Sequence, residues 1–141
     1  MRVKALFKED LCYEDSHSWL KVEGDLVRVG VDDIIQQAAG KLVYVNPLRP
    51  GAQARRGMPL ISLEASKWVG SINSPVTGTV VVVNQEVLRK PSLVNEDPYG
   101  RGWILLIKPS NLEEDLRHLR CGEEARKWFE SEAQRLLRKV A

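Results

Sequence analysis

Residues Ile61–Val83 read ISLEASKWVGSINSPVTGTVVVV, and the rest of the chain is organised around them. Two apolar, strand-like runs flank the polar segment Glu64-Ala65-Ser66-Lys67-Trp68-Val69-Gly70-Ser71. Short β-branched runs separated by a few polar residues predict a hairpin. Lys67 then falls at an exposed bend, where flanking ladders fix the backbone and the ammonium stands in water. Ser74-Pro75-Val76-Thr77-Gly78 closes the unit as a turn before the valine run. An exposed lysine at a turn ordinarily serves solubility. A lysine held between two rigid strands, with an acidic residue three positions before it, also suits covalent modification, because a modifying enzyme meets a defined tip.

Outward from the hairpin, an internal echo links two stretches. Gly40-Lys41-Leu42-Val43-Tyr44-Val45-Asn46 resembles Gly78-Thr79-Val80-Val81-Val82-Val83-Asn84. A second apolar strand follows each, Met58–Leu63 in one case and Trp103–Ile107 in the other. Two such units predict a pseudo-symmetric β-sandwich in which each half covers the other. Upstream, Trp19–Val22 runs through Glu23-Gly24-Asp25 into Leu26–Val31, a second hairpin. Asp32 and Asp33 then open a short helix over residues 34–39, stopped by Gly40. Val3, Ala5 and Phe7 alternate like a short edge strand within an otherwise irregular lead-in over residues 1–18. The connection from Val87 to Gly102 carries Pro91, Pro98 and two glycines and predicts a packed surface loop.

After Lys108-Pro109 the apolar period lengthens to that of a helix. Ser110 with Glu113 fits a capping box, and Leu112, Leu116 and Leu119 fall on one face. Ala125, Phe129, Ala133, Leu136 and Val140 mark a second helical stripe, with Trp128 and Leu137 beside it. Residues 111–141 hold seven acidic and seven basic side chains, a solvated outer face. The expected organisation is a β domain over residues 1–110 with the helical segment 111–141 packed on it.

The 141 residues are 43% hydrophobic, enough for one core, and their net charge of +2 argues for neither a nucleic-acid nor a membrane partner. No run suits a membrane span or a signal peptide, so a cytoplasmic location is expected. His17 and His118 lack local companions at ligand spacing, and no nucleophilic triad or metal motif is visible. No catalytic or metal-binding residue is expected. Cys12 and Cys121, at opposite ends, are expected as free thiols rather than a disulfide.

Several motifs together resemble the H protein of the glycine cleavage system, across about residues 13–120. Tyr13-Glu14-Asp15-Ser16-His17-Ser18-Trp19 and Val22-Glu23-Gly24-Asp25 match the family's opening. Glu64-Ala65-Ser66-Lys67 aligns with its Glu-Ser-Val-Lys lipoylation site. Leu93-Val94-Asn95-Glu96-Asp97-Pro98-Tyr99-Gly100, running to Gly102-Trp103, is the most specific segment. The resemblance implies a mainly β, barrel-sandwich hybrid fold of the lipoyl/biotinyl type, with a short internal helix and C-terminal helices. It implies lipoate in amide linkage to Lys67 as N6-lipoyllysine, with Glu64 read by the ligase. Biotin is disfavoured, since biotinyl lysines sit between methionines and Lys67 lies between Ser66 and Trp68. The implied partners are a lipoate ligase or lipoyltransferase, glycine decarboxylase, aminomethyltransferase and dihydrolipoyl dehydrogenase. The carrier itself is not an enzyme; it moves an aminomethyl group between them.

The chain departs from the family at four places. Ser18 stands where the family has a glutamate that holds the cationic aminomethyl arm, and a neutral hydroxyl cannot balance an ammonium as a carboxylate does. Ser16, Ser18 and Trp68 are the positions from which an arm contact is expected. Trp68-Val69-Gly70 replaces small residues, so Trp68 is either a cover for the arm or a tolerated exposed ring. Asn46-Pro47-Leu48-Arg49-Pro50, with Arg55 and Arg56 behind it, replaces an acidic segment, which suits partners of the opposite charge. The tail after Arg120 is longer and more helical than the family's. These departures keep two other readings open: an H-like lipoate-binding protein serving sulfur-oxidation enzymes, and an unmodified interaction or lipoyl-relay module.

Overall fold

The computed structural model describes residues 4–138. In chain order the elements are β1 (Cys12–Tyr13), β2 (Ser18–Glu23), β3 (Leu26–Val31), α1 (Asp33–Ala39), β4 (Leu42–Pro47), β5 (Gln53–Ala54) and β6 (Pro59–Ala65). There follow β7 (Trp68–Asn73), β8 (Gly78–Val83), α2 (Gln85–Arg89), α3 (Leu93–Glu96), β9 (Leu105–Pro109), α4 (Leu112–Leu116) and α5 (Gly122–Leu137). Two antiparallel sheets result, a six-stranded one in the order β1-β2-β3-β9-β8-β5 and a three-stranded one in the order β4-β6-β7. Their apolar residues form one core, including Val27, Val29, Leu63, Ile72, Val80 and Ile107.

The echo is structural. β4 pairs with β6 in one sheet, and β8 pairs with β9 in the other. Both echoed strands shift register at the same place, between Leu42 and Tyr44 and between Val80 and Val82. Such a bulge puts one extra residue into the strand and lets two consecutive side chains face away from the core. Val43 and Tyr44 in one unit, and Val81 and Val82 in the other, are exposed accordingly.

Helix α1 starts and stops as the sequence indicates. The Asp32 side chain accepts from the Ile35 amide, and Gly40 closes the end at φ 83°, a conformation that suits glycine. Asn95 then fastens this end to the next strand: its carbonyl accepts from the Leu42 amide at 3.0 Å and its amide donates to the Gly40 carbonyl at 2.8 Å. Tyr99 donates to the Leu6 carbonyl and accepts from the Asp33 amide. The Asn95–Gly100 motif is thus a knot between the lead-in, α1 and β4.

Several expectations are corrected. No strand forms over residues 4–9, and Val3 lies outside the described residues. Phe7 instead stacks on Tyr13, with ring centroids 5.3 Å apart. The connection after β8 is not all loop; it holds α2 and α3, which bury Val87, Leu93 and Val94. Helices of four or five residues are too short to show a period. Ser110 does not cap α4, whose cap position is Asn111; its amide and hydroxyl donate to the Thr77 carbonyl beyond the β8–β9 ladder. Strand β9 begins at Leu105 rather than Trp103.

Cys12 and Cys121 are joined in a disulfide, against the expected free thiols. Tyr13 and Arg120 exchange both backbone hydrogen bonds, at 2.8 and 2.9 Å. The next cross-strand pair is Cys12 with Cys121, a non-hydrogen-bonded pair with Cα atoms 4.5 Å apart, within bridging range. Sequence separation hid this juxtaposition. Beyond it, α5 lays Ala125, Phe129, Ala133 and Leu137 over Leu11, Tyr13, Trp19 and Ile34, a second apolar cluster. The buried stripe therefore ends on Leu137, with Leu136 beside it, and Val140 lies outside the described residues.

Candidate functional site

Strands β6 and β7 pair from Pro59↔Asn73 up to Ala65↔Trp68, with one register shift near the base. Ala65 and Trp68 are opposite each other, so Ser66-Lys67 is a two-residue hairpin turn. Both turn residues are exposed. Short loops of this kind leave little backbone freedom, so the Lys67 attachment point is placed by the ladder beneath it. Glu64 is half-buried, opposite Val69 on one side and Tyr44 on the other.

Trp68 is neither a free ring nor an outward cover. It is half-buried, packs against the main core, and lies over Gly70; a Cβ on Gly70 would stand 2.7 Å from Trp68 Cζ2. Residues two apart in a strand share a face, so the glycine makes the room that the indole occupies.

At the other end of β7, Asn73 is clamped by the Ser-His-Ser segment. The Asn73 amide donates to Ser16 Oγ and its carbonyl accepts from Ser18 Oγ, each at 2.8 Å. Ser16 Oγ donates in turn to Glu14. Ser18 has no exposed surface. The expectation of an arm contact at Ser18 is therefore corrected: its hydroxyl is sealed beneath the hairpin base and satisfied there. Ser16 is half-buried and holds the same anchor, well below the tip that carries Lys67 and Glu64.

Between these serines His17 has φ 84° and is buried. Its Nδ1 lies 2.7 Å from Asp32 and its Nε2 2.9 Å from Glu132 of α5, and its ring stacks on Trp128. Burial alone would lower its pKa, but the two carboxylates outweigh burial and hold it above the usual histidine value. Hydrogen bonding from Arg135, and then from His17, pulls Glu132 down to about 2. The carboxylate companions missing from the local sequence are supplied by the fold. His118 is exposed beside Glu114 and does not join them.

A β-sandwich that presents an exposed lysine on a tight hairpin turn, at the opposite end of β7 from the segment that holds the buried His17–Asp32–Glu132 cluster, has the form of a carrier of a covalently attached group. The chain belongs to the glycine cleavage H-protein family: the family model described as Glycine cleavage H-protein matches residues 11–132. Members of this family are non-catalytic lipoyl-carrier subunits with a barrel-sandwich hybrid fold. The chain is 46% identical over 119 residues to glycine cleavage system H protein 2 of Aquifex aeolicus, covering 83% of this chain and 74% of that protein. It is 44% identical over 108 residues to the probable glycine cleavage system H protein 2 of Sulfolobus acidocaldarius, covering 76% and 72%. It is 46% identical over 103 residues to the glycine cleavage system H protein of Acinetobacter baumannii strain SDF, covering 73% and 83%. The crystal structure of the Mycobacterium marinum H protein superposes with a TM-score of 0.70 at 30% identity, covering 74% of this chain and 87% of that one. No helix among the described residues is long and apolar enough to cross a membrane.

Proposed function

We propose that Lys67 is the lipoylation site and that the chain shuttles a lipoamide-bound intermediate between separate enzymes, with the aminomethyl group of glycine cleavage as its cargo. The carrying observation is the hairpin itself: an exposed lysine on a two-residue turn, above pairing that is continuous from Ile61↔Ile72 to Ala65↔Trp68, with Glu64 three positions before it. When bound, the lipoyl group supplies a redox-active dithiolane on a long tether. The chain's own residues fix where that tether starts. Amide formation would remove the Lys67 charge: the accessible side chain gives up a proton, its neutral amine attacks an activated lipoyl carboxyl supplied by the modifying enzyme, and the activating group leaves. Glu64, on the strand beside the turn, is in this reading the residue that a lipoate ligase or lipoyltransferase recognises. The partners in this reading are glycine decarboxylase, aminomethyltransferase and dihydrolipoyl dehydrogenase.

The test is intact mass after expression in a lipoate-competent host. The wild type is expected to gain one lipoyl adduct and Lys67→Arg none. An adduct that survives in Lys67→Arg, or none on either protein, overturns the site.

A second cargo is favoured by two particulars. Ser18 brings no carboxylate toward the arm and is buried besides. Residues 41–108, which hold the hairpin, carry nine basic and four acidic side chains, with Arg49 and Arg55 exposed. Partner enzymes with acidic faces, and a cargo that needs no counter-carboxylate, suit the lipoate-binding proteins of sulfur oxidation. Mixing the lipoylated protein, its dithiolane in the oxidised disulfide form, with glycine and a glycine decarboxylase separates the two: decarboxylation releases CO2, and the aminomethyl carbon bonds one sulfur as the S–S bond opens and the other sulfur becomes a thiol. Loading of the arm by mass supports the aminomethyl cargo; an adduct-bearing protein that stays unloaded favours the sulfur reading.

A further inference from the structure

The outward face of the lipoyl hairpin's sheet carries an apolar patch in the rows next to Lys67. Tyr44, Glu64 and Val69 are directly opposed across β4, β6 and β7, so their side chains share one face. Tyr44 is 60% exposed and Val69 71%, and Val43, turned outward by the bulge, is 46% exposed. Nothing in the core requires these groups. The second echoed unit serves as an internal control. It has the same bulge but no lysine hairpin beside it, and it carries Val82, 39% exposed, where the first unit carries Tyr44. The large, flat ring appears only in the unit that bears the lysine.

We propose that Tyr44 and Val69 form a resting platform for the acylated side chain of Lys67, on the outer face of its own sheet. The inference rests on the lipoyl reading of Lys67. Two positions along a strand and two strands across separate Lys67 from Tyr44 by roughly 12 Å at most. A lysine side chain extended by the lipoyl chain runs about a dozen bonds to the dithiolane, roughly 14 Å when extended. The arm therefore ends over the Tyr44 ring after passing Val69. Its alkyl portion matches the valine, and its sulfurs match the aromatic ring, to which divalent sulfur is attracted. Glu64, between the two, faces an arm whose lysine charge the amide has removed. The platform would lower exposure of the dithiolane between partner visits while leaving it on the surface, where a partner can lift it.

The experiment uses isotope-labelled full-length protein, lipoylated and checked by intact mass. The Val69 methyl and Tyr44 ring resonances are expected to shift on lipoylation, while the Val82 methyls stay in place. Tyr44→Ser, at an exposed position, is expected to abolish the Val69 shift. It should also speed alkylation of the reduced arm, read on the Lys67 peptide, roughly two- to tenfold, the population change a sulfur–aromatic contact supports. Tyr44→Phe should behave as wild type. Shifts confined to Ser66–Trp68, or alkylation unchanged in Tyr44→Ser, overturn the platform. So does a Tyr44→Ser protein that slows only the ligase, which would make the face a partner's docking surface. Should Lys67 take no adduct, a lipoyl chain attached chemically to Lys67→Cys poses the same question independently of any ligase. Cys12 and Cys121 are bonded to each other, so the new thiol is the reactive one.

Discussion

Trp68 and Gly70 act as one substitution made at two positions. An indole folded inward at Trp68 requires a neighbour without a side chain on the same face, and Gly70 provides it. Restoring even a methyl at Gly70 drives it into the ring, an overpacking that costs about 1–3 kcal/mol. Gly70→Ala is therefore expected to lower the urea midpoint, and Trp68→Ala in the same chain to recover part of that loss. A double-mutant cycle by urea unfolding reads the coupling, and strictly additive losses would refute it. Ser18 follows the same logic of fit. The sequence marks it as a departure in arm chemistry, whereas the structure makes it half of the Asn73 clamp, with no exposed surface. Ser18→Glu would bury an unpaired carboxylate and sever that clamp, so it is expected to destabilise the fold by several kcal/mol rather than create an arm contact. Soluble Ser18→Glu with wild-type Tm would contradict this.

At the scale of elements, helix α5 is joined to the hairpin through His17. Glu132 reaches from α5 to His17, His17 reaches Asp32 at the start of α1, and the flanking serines hold β7. The pH dependence follows from the directions of the shifts. Glu132 lies at about 2 in the folded protein, below its ordinary 4.5, so its contribution is present above the ordinary value and lost as pH falls toward 2. His17 is raised above its ordinary 6.5, so its contribution is full below that value and lost as pH climbs through the raised one. The Tm gap between wild type and Glu132→Gln is thus expected to be widest from about pH 4.5 to 6.5, and to narrow on both sides. A gap that stays constant from pH 3 to 9 would rule out the linkage. None of this cluster was legible in the sequence, because Glu132 and Asp32 lie 115 and 15 positions from His17 and only folding brings them together. The hairpin, by contrast, was legible in outline, since two apolar runs about a polar segment and the closing turn Ser74–Gly78 are local signals; that its turn has only two residues is set by the Ala65–Trp68 register.

On the scale of the whole molecule, the legible and hidden parts divide by contact range. The hairpins, the capped helix α1 and the apolar stripe of α5 follow from patterns within a dozen residues, whereas strand order rests on distant pairings such as Val27 of β3 with Ile107 of β9. The outward rows of the sheets depend on bulges and cross-strand register, so Tyr44, the neighbour that most concerns Lys67, could be found only by aligning the two echoed units and counting faces. The disulfide is hidden for the same reason. It closes a loop of 109 positions and ties β1, next to the Ser-His-Ser clamp, to the first turn of α5. Cross-linking so long a loop acts mainly on the unfolded chain, removing conformations it would otherwise sample, and native bridges of this kind typically contribute about 2–4 kcal/mol. The Cys12→Ser/Cys121→Ser protein is expected to keep its hairpin register, which local ladders fix, while losing stability of that order and loosening α5 first. Amide exchange distinguishes the outcomes: protection should fall most across Ala125–Leu137 and least across β6 and β7. Uniform loss of protection would mean that the bridge holds the sandwich as a whole, and that the lysine hairpin is not independent of the C-terminal helix.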